Sequence, residues 1–352
     1  MDSQNDWEAS PRRDGESPDL AAMARYLARL AGDGHAFAAG QSHIRPLGGG
    51  FNNRIYEVNT DGGIYLVKVY PADRGQRLER EYATMKRLSF LEAVPEAVTG
   101  DPWAVELKAP VLIYEKLPGA AVKPASMTRE ELSLLLEIMH AVHGISDPGD
   151  SALGRPAGPA RPRDCLDFMD ETMHAMATSA AMSDPPFREA LDRLRDLRRC
   201  LDMMDLKPAL WADCPPCLCH GDFRPANVIR AGAERIGLVD WEHAGIMDPL
   251  FEVAGFFWHP ESAVLEAGLR EEAIGDYCER SADPHAIEKM AVYQSILPVQ
   301  WCVRILSLIE GYDREAVQPW SERRPPESLW DDLDRYIGLA AERLGATLRG
   351  PA

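Results

Sequence analysis

The spacing of hydrophobic residues along the chain first indicates a region rich in strands. Hydrophobic residues recur every three or four positions through residues 18–31, which predicts an amphipathic helix that ends at Gly32. Short runs rich in β-branched and aromatic residues follow at 43–47, 53–59 and 63–70, and a glycine-containing turn joins the last two as a hairpin. The pattern therefore predicts a helix followed by antiparallel strands.

The same sheet is predicted to continue after one helix. Residues 75–88 have helical periodicity, and short strands are predicted at 103–107 and 110–115, close enough to form a second hairpin. Residues 117–124 are rich in turn-forming residues and are predicted to link two parts of the chain.

Helical periodicity dominates the rest of the sequence. Helices are predicted at 128–145, 163–180, 186–205, 262–280, 284–311 and 327–347, with short strands at 217–219, 227–230 and 235–239. Together the patterns predict an α+β fold with a sheet-rich small lobe at residues 18–117 and a mainly helical large lobe at residues 118–352. Residues 1–17 are predicted to form a disordered tail.

Composition and charge narrow the class of protein. The 352-residue chain is 45% hydrophobic and 27% charged, which is typical of a globular protein with two lobes or domains. Its formal net charge of −18 argues against nucleic acid as a partner and is compatible with a cationic substrate. The N-terminus has no apolar segment typical of a secretory signal and no apolar run reaches about 18 residues, so we expect a cytoplasmic protein that does not cross a membrane.

The seven cysteines follow no repeating framework, and reduced thiols are therefore expected. Cys214 and Cys217 have C-x-x-C spacing and Cys219 follows, but no second ligand pair comes at a distance typical of zinc sites. A metal or redox role of this cluster stays open. The simpler interpretation is that Cys217 and Cys219 are small buried residues of a strand.

The stretch His220-Gly221-Asp222 stands just before a predicted strand and brings several polar groups together. Asn227 lies five residues after Asp222, which is the separation that kinase catalytic loops use between a base and a magnesium-binding asparagine. One short, rigid turn can then direct a carboxylate to a substrate hydroxyl and an amide oxygen to a phosphate-bound metal ion. His220 is expected to brace this loop and not to transfer protons.

Asp240 ends the next predicted strand, thirteen residues after Asn227. The strands at 227–230 and 235–239 are predicted to form a hairpin, which would bring Asn227 and Asp240 to the same end. Amide and carboxylate oxygens that converge on one point are suitable ligands for Mg²⁺ bound to nucleotide phosphates.

Two charged residues and a glycine-rich loop of the small lobe fit the same kind of site. Lys68 shares a strand face with apolar residues, and Glu81 lies on the apolar stripe of its helix, so an ion pair that directs the ammonium toward phosphates is expected. The loop at 47–53 can bring backbone N–H groups close to phosphate oxygens, and it contains Gly48, Gly49, Gly50 and Asn52. Alone, each feature fits an exposed lysine, a helix acid or a flexible turn; their order along the chain indicates a nucleotide site.

The stretches HGDFRPANV and LVDWEHAGIMDPLFEVA resemble the two strongest motifs of the aminoglycoside phosphotransferase and choline kinase family, relatives of the protein kinases. The similarity spans roughly residues 40–310. It implies a bilobal protein-kinase-like fold with an antiparallel-sheet N-lobe and a mainly helical C-lobe. It also implies ATP-dependent transfer of the γ-phosphoryl group to a hydroxyl of a small molecule that is aminoglycoside-, choline- or amino-alcohol-like.

The resemblance implies a role for each residue that matches a motif. Asp222 corresponds to the catalytic base, and Asn227 and Asp240 correspond to the ligands of Mg²⁺. Lys68 corresponds to the phosphate-binding lysine, and Glu81 to the partner that orients it.

Further positions follow from the same resemblance. Adenine is implied to bind at a hinge from Glu115 to Leu117, and Asp248 and Glu252 match a second acidic motif, in which the family usually has aspartate where Glu252 stands. Protein kinases that act on serine or threonine carry a lysine at the position of Arg224. We therefore predict that Arg224 neutralises charge on the transferred phosphoryl group, with an exposed loop arginine as the alternative.

Two other functions are weighed against a small-molecule kinase. A nucleotide-binding pseudokinase acting as a scaffold would lack Asp222, Asn227, Asp240 or Lys68, and all four are present. A protein kinase is disfavoured because Glu242 stands at the third position of the D-F-G motif. We therefore expect ATP and Mg²⁺ as cofactors, a small-molecule hydroxyl acceptor of possible cationic character, and no nucleic acid or membrane partner.

Overall fold

The computed structural model describes residues 20–35, 43–47, 53–72, 74–145, 153–212, 216–232, 235–312 and 326–349. The predicted tail at residues 1–17 lies outside these residues. An antiparallel sheet followed mainly by helices confirms the predicted α+β class. A lobe boundary near residue 117 stays a prediction.

The sheet-rich part is a single five-stranded antiparallel sheet. Its strands are β1 (His43–Leu47), β2 (Arg54–Thr60), β3 (Gly63–Val69), β4 (Ala97–Ala104) and β5 (Ala109–Glu115), in the order β1-β2-β3-β5-β4. The helices α1 (Leu20–Gly32) and α2 (Gly75–Arg87) pack on opposite faces of this sheet. Because side chains alternate along a strand, Val67 and Val69 of β3 pack with α1, whereas Lys68 points toward α2.

The fourth strand corrects one prediction. The prediction of a strand at 103–107 is wrong, because β4 starts at Ala97 and ends at Ala104. Leu107 and Lys108 donate backbone hydrogen bonds to the Ala104 carbonyl oxygen (3.1 and 2.7 Å), and Lys108 has a φ of 52°, so the chain turns there. Gly100 interrupts the β-type composition of β4, and two register shifts against β5 disturb its alternation, which hides the strand from hydrophobic spacing.

Seven helices account for most of the other described residues. They are α3 (Arg129–His143), α4 (Pro162–Ala177), α5 (Pro185–Asp202), α6 (Pro249–Trp258), α7 (Ala267–Arg280), α8 (Ala286–Tyr312) and α9 (Pro326–Arg349). α8 is central and packs against α4, α5, α6 and α9.

The central position of α8 explains its hydrophobic composition. Among the described residues, Ala286–Gly311 is the one helix long and apolar enough to cross a membrane, which corrects the expectation that no apolar run reaches this length. However, 67% of its most apolar window is buried inside the protein. Packing in the protein core therefore accounts for this helix.

Two other helices differ from the predictions. α6 is not predicted, because its sequence PLFEVAGFFW is apolar on almost every side and shows no helical period; in the structure, nearly all of it is buried. Asp248 caps α6 by accepting a hydrogen bond from the Leu250 N–H (2.9 Å), and it also accepts one from the Trp211 indole (2.6 Å). The helix predicted at 262–280 begins later, at Ala267, after a 3₁₀ turn.

Short strands between the helices hold the loops of the candidate site. β6 (Ala120–Ala121), β8 (Val228–Arg230) and β9 (Ile236–Leu238) form one small sheet, and β7 (Cys217–Cys219) pairs with β10 (Gly245–Met247). β6 lies in the predicted link and pairs with β8, so the link is fixed to the β8–β9 hairpin. The six described cysteines are free, and Cys217 and Cys219 are buried as expected; Cys214 lies outside the described residues.

Candidate active site

Buried hydrogen bonds fix the loop that follows β7. The His220 ring is fully buried: its Nε2 donates to the Val239 carbonyl oxygen (2.9 Å), and its Nδ1 accepts from the Asp222 N–H (3.3 Å). Burial lowers the pKa of His220, so the ring is neutral at pH 7 and braces the loop. Gly221 has a φ of 81°, and a Cβ there would lie 2.0 Å from the His243 carbonyl oxygen, so this position requires glycine.

Glu252 of α6 holds the same loop from inside the protein. Its carboxylate accepts hydrogen bonds from the backbone N–H groups of His220 (3.0 Å) and Gly221 (2.7 Å), and it binds His143 Nε2 (2.9 Å). Burial opposes the charge of Glu252, but these hydrogen bonds outweigh it and hold its pKa below the ordinary value. His143 Nδ1 in turn binds the Tyr277 hydroxyl (2.6 Å), so three helices set the position of the loop.

Asp222 lies beside Arg224 and Asn227. The side-chain amide of Asn227 donates to the Asp222 carbonyl oxygen (2.8 Å) and to its carboxylate (3.0 Å), and Arg224 Nε donates to the same carboxylate (3.2 Å). Arg224 also binds Glu261 (2.6 Å), which accepts the Ala226 N–H (3.0 Å). Arg224 is therefore held between two carboxylates and is only partly exposed, unlike a free surface arginine.

The β8–β9 hairpin brings the segments of Asn227 and Asp240 next to each other. The Val239 N–H donates to the Asn227 carbonyl oxygen (3.0 Å), so the residue before Asp240 is fixed against Asn227. Asp240 has a left-handed backbone (φ 69°) and a side chain that is 34% exposed. Within the described part of the chain, Asn227 Oδ1 accepts no hydrogen bond, so amide and carboxylate oxygens are both available at this end of the hairpin.

Lys68 is at the centre of a buried cluster of charged groups. Its ammonium lies 2.6 Å from Glu81, 2.5 Å from Asp240 and 3.2 Å from Glu242, and its side chain is 2% exposed. The Tyr70 hydroxyl also donates to Glu81 (2.5 Å). Burial opposes the charge of Lys68, but the Asp240 and Glu81 carboxylates outweigh it and raise its pKa well above the ordinary value. The expected ion pair of Lys68 and Glu81 is present, and Lys68 is not an exposed edge residue.

Asn53, Arg77 and Glu242 complete this cluster and are not among the predicted site residues. The Glu242 carboxylate accepts hydrogen bonds from Asn53 (2.6 Å) and Arg77 (2.7 Å). Burial opposes its charge, but His243, Lys68 and Arg77 outweigh burial and hold the pKa of Glu242 far below its ordinary value. Asn53 and Arg77 are 189 and 165 residues away from Glu242 in sequence, so no local pattern links them.

The predicted hinge lies between β5 and β6. The Glu115 N–H donates to the Glu96 carbonyl oxygen (2.9 Å). A Cβ at Gly237 would lie 2.4 Å from Leu117 Cδ1, so the Leu117 side chain packs on β9 and joins the hinge to the hairpin that ends at Asp240. The hinge is therefore fixed against the hairpin that leads to Asp240.

The glycine-rich loop falls outside the described residues. Gly48, Gly49, Gly50 and Asn52 are the predicted phosphate-binding residues of this loop, and their role stays a prediction. The chain on both sides is described: Leu47 ends β1, and Asn53, just before β2, reaches Glu242.

One group of acidic side chains bears on the expected Mg²⁺ site. Ligand atoms of Glu81, Asp240 and Glu242 lie within 4.8 Å of one another, but the Lys68 ammonium contacts all three and serves as their counter-ion. Mg²⁺ prefers one or two protein oxygens together with waters and phosphate oxygens. The partly exposed Asp240 carboxylate and the Asn227 amide oxygen fit this preference.

A second group, formed by His143, Cys219 and Glu252, is accounted for by contacts within the protein. Its ligand atoms lie within 4.8 Å of one another, and burial raises the pKa of the Cys219 thiol well above its ordinary value. His143 and Glu252 are bound to each other and to loop or helix donors, as described above.

Comparisons with known proteins bear on the family and the fold of this chain. The model of the phosphotransferase enzyme family (APH) matches residues 43–289. Protein LicA of Haemophilus influenzae is 28% identical over 92 residues, which cover 25% of this chain and 32% of LicA. The chain therefore aligns with only about a third of that relative's length.

Two solved structures are similar over most of both chains. A choline/ethanolamine kinase family protein from Mesorhizobium loti has 17% identity and a TM-score of 0.60, covering 94% of this chain and 100% of that one. A thermostable mutant of aminoglycoside phosphotransferase APH(4)-Ia, in ternary complex with AMP-PNP and hygromycin B, has 18% identity and a TM-score of 0.53, covering 89% and 97%. These similarities show the bilobal protein-kinase-like fold.

Proposed function

Because the chain belongs to the phosphotransferase enzyme family, we propose that it transfers the γ-phosphoryl group of ATP to a hydroxyl of a small molecule. The observation that supports this most directly is the contact of 2.5 Å between Lys68 of the sheet and Asp240 of the hairpin. Asp222 and Asn227 lie in the adjoining loop. A cation, two oxygen ligands and a carboxylate base around one site are the parts that phosphoryl transfer requires.

Asp222 is the base in this proposal. It orients the acceptor hydroxyl and takes its proton while the oxygen bonds to the γ-phosphorus; the bond from that phosphorus to the β–γ bridging oxygen breaks, and ADP leaves. Its carboxylate is held by Asn227 and Arg224, which supports a fixed orientation. Arg224 can also neutralise charge on the transferred group.

The nucleotide is bound by the sheet and the hinge. Glu81 orients Lys68 toward the phosphates, while the backbone from Glu115 to Leu117 pairs with adenine. The loop of Gly48, Gly49, Gly50 and Asn52 covers the phosphates. AMP-PNP in the APH(4)-Ia complex supports a nucleoside triphosphate as the donor.

Asn227 and Asp240 would hold Mg²⁺, which supplies positive charge to the phosphates when bound. The acceptor is a small alcohol of the aminoglycoside or amino-alcohol kind, and hygromycin B in the APH(4)-Ia complex supports this class. A cationic acceptor, a cytoplasmic location and the absence of nucleic acid and membrane partners stay predictions.

A coupled ADP-release screen tests the proposed function. We expect Mg²⁺-dependent ADP release with one class among aminoglycosides, choline-like amines, amino alcohols and hydroxy acids, and none above background with Asp222→Asn. If the wild type binds AMP-PNP but no class gives a signal above that variant, the pseudokinase scaffold replaces the enzyme as the best explanation.

Replacing Glu252 by Gln is expected to lower turnover about 10-fold to 100-fold and the free energy of unfolding by about 1–3 kcal/mol. The nitrogen of the new amide cannot accept a hydrogen bond, so a buried N–H of the Asp222 loop loses its partner. Steady-state kinetics and urea unfolding measure the two effects.

The matched control for this change is Glu272→Gln. Glu272 is exposed and pairs with Arg129 at the surface (2.6 Å), where such a pair contributes about 0–1 kcal/mol. If Glu252→Gln behaved like this control in both measurements, Glu252 would not position the loop.

A further inference from the structure

Beside Asp222, the inner face of α8 borders two adjoining cavities. Their volumes are about 110 and 510 Å³, and both are lined by Gln300 and Arg304. Asp222 lines the smaller cavity, whereas Phe168 and Ile246 line the larger one. A molecule in these cavities would therefore contact α8 and reach the carboxylate that we propose as the base.

Arg304 has no carboxylate partner within the described ranges. Its guanidinium carbon lies 5.3 Å from the centre of the Phe168 ring and 5.5 Å from that of the Trp301 ring. Arg304 as a whole is nevertheless exposed to solvent. The protein atoms around it displace water, which lowers the pKa of Arg304, but an arginine keeps its proton at any ordinary pH. Among the described residues, the Arg304 guanidinium therefore faces both cavities without an ion-pair partner, although the Asp222 carboxylate is near enough to attract it.

The carboxylates that line the same cavities are already bound. Glu252 accepts hydrogen bonds from the Asp222 loop and contacts His143. Asp164 accepts the backbone N–H groups of Ala160 (2.9 Å) and Arg161 (3.1 Å) at the start of α4. Asp222 itself is held by the side chains described above. None of these carboxylates lies within ion-pair distance of Arg304 among the described contacts.

Gln300, one helical turn before Arg304, lines both cavities and carries an unused acceptor. The residue is 2% exposed, and in the described part of the protein its buried Oε1 accepts no hydrogen bond. A buried amide oxygen of this kind is expected to find a donor, and a bound N–H or O–H group would supply one. His259 lines the smaller cavity, and burial lowers its pKa to about 4, so it adds no charge at pH 7.

We propose that the phosphoryl acceptor carries a carboxylate bound by Arg304 and an N–H or O–H group that donates to Gln300 Oε1. This inference rests on the proposed function and names its substrate class, a small alcohol that also bears a carboxylate. The two parallel N–H groups of arginine match the two oxygens of a carboxylate. Phe251 and Leu297 line the smaller cavity and Phe168 the larger one, so the walls fit an apolar body between the polar groups.

The net charge of the chain does not oppose this assignment. A formal charge of −18 attracts cations to the surface as a whole, which is the basis for expecting a cationic acceptor. For a bound molecule, the closest charges dominate, because field strength falls with distance and solvent screens the more distant surface charges. Arg304 lines both cavities, whereas the Asp222 carboxylate in the smaller one already accepts hydrogen bonds from Asn227 and Arg224.

Matched pairs of acids and amides test the proposal. The probes are mandelate, serine and para-(hydroxymethyl)benzoate, each compared with its primary amide, which is similar in size but lacks the carboxylate. By isothermal titration calorimetry with the wild-type protein, we expect the acids to bind about 10-fold to 100-fold more tightly than the amides. Equal affinities of acids and amides would overturn the proposal.

Arg304→Met is expected to abolish this preference without changing the affinity for AMP-PNP. The control is Arg199→Met, which removes an exposed arginine of α5 that pairs with Asp196 at the surface (2.5 Å) and should keep the preference. Retention of the AMP-PNP affinity shows that Arg304→Met is folded. Persistence of the acid preference in Arg304→Met would assign it to another residue and overturn the role of Arg304.

An ADP-release assay with the same probes separates this inference from the proposed function. Turnover of acids over amides that is lost in Arg304→Met would support both. Turnover of neutral or cationic acceptors, with no preference for acids in binding, would overturn the carboxylate assignment and leave the proposed function intact. Arg304-dependent binding of acids, with no ADP release from any acceptor of the wider screen, would overturn the proposed function and support the carboxylate site.

Discussion

Replacing Asp222 by Asn is expected to lower turnover by about 10²-fold to 10⁴-fold, while affinity for AMP-PNP stays within about twofold. The amide of Asn cannot take the proton of the acceptor hydroxyl. It has nearly the same shape, however, and its oxygen can still accept from Asn227 or Arg224, which now bind the carboxylate at 3.0 and 3.2 Å. Initial rates of ADP release and calorimetry with AMP-PNP measure the two quantities.

Asp334→Asn provides the control for this change. Asp334 is 71% exposed and pairs only with Arg193 in the described contacts (3.1 Å), so its replacement should change neither quantity. Turnover by Asp222→Asn within tenfold of the wild type would exclude Asp222 as the base. A loss of AMP-PNP affinity as large as the loss of turnover would instead indicate that Asp222 supports the nucleotide site.

The parts of the site that are close in sequence were open to prediction. Asp222 and Asn227 leave one turn, and the hairpin that follows can only return the chain to the same end, where Asp240 lies. Lys68 could be oriented by strand alternation, because Leu66 and Tyr70 on the same face pack against the protein core, although Ile64 on that face is 47% exposed. These inferences use local geometry that the sequence determines almost completely.

Contacts between distant segments were not open to prediction in the same way. Asn53 and Arg77 meet Glu242 only after the sheet and the hairpin have packed together, and neither residue has a local pattern that distinguishes it from a surface polar residue. The start of β4 was hidden for a different reason, since Gly100 and two register shifts disturb its alternation. α6 was hidden because burial on every side removes the helical period.

The two cavities beside α8 show a further limit of what sequence composition can predict. Gln300 and Arg304 are four residues apart in an otherwise apolar stretch, which is the spacing of neighbours on one helical face. This spacing was a usable indication of a polar patch on a core helix. Net charge could not reveal the sign of that patch, because it sums over the whole surface.

Replacing Lys68 by Met is expected to lower the free energy of unfolding by about 3–5 kcal/mol at pH 7 and to abolish turnover. The ammonium is 2% exposed and is the shared partner of Glu81, Asp240 and Glu242, so its removal leaves buried carboxylates without a counter-ion. Urea unfolding measures the change. Lys123→Met, at an exposed lysine, is the control and should change stability by less than about 0.5 kcal/mol.

The pH dependence and a double variant identify the cause of this loss. Burial already raises the pKa of Glu81, and removing Lys68 removes the charge that opposes this effect. When folding raises the pKa of a carboxylate, the native protein binds the proton more tightly than the unfolded chain does. The resulting loss of free energy of unfolding is absent below the unfolded pKa of about 4.3, grows as the pH rises above that value and is complete above the folded pKa. The loss in Lys68→Met should therefore shrink between pH 7 and about pH 4.

Lys68→Met combined with Glu81→Gln should recover part of the stability and none of the turnover, because it removes a buried charge but restores no phosphate-binding cation. A double variant no more stable than Lys68→Met would show that lost packing, and not an unpaired charge, destabilises the protein.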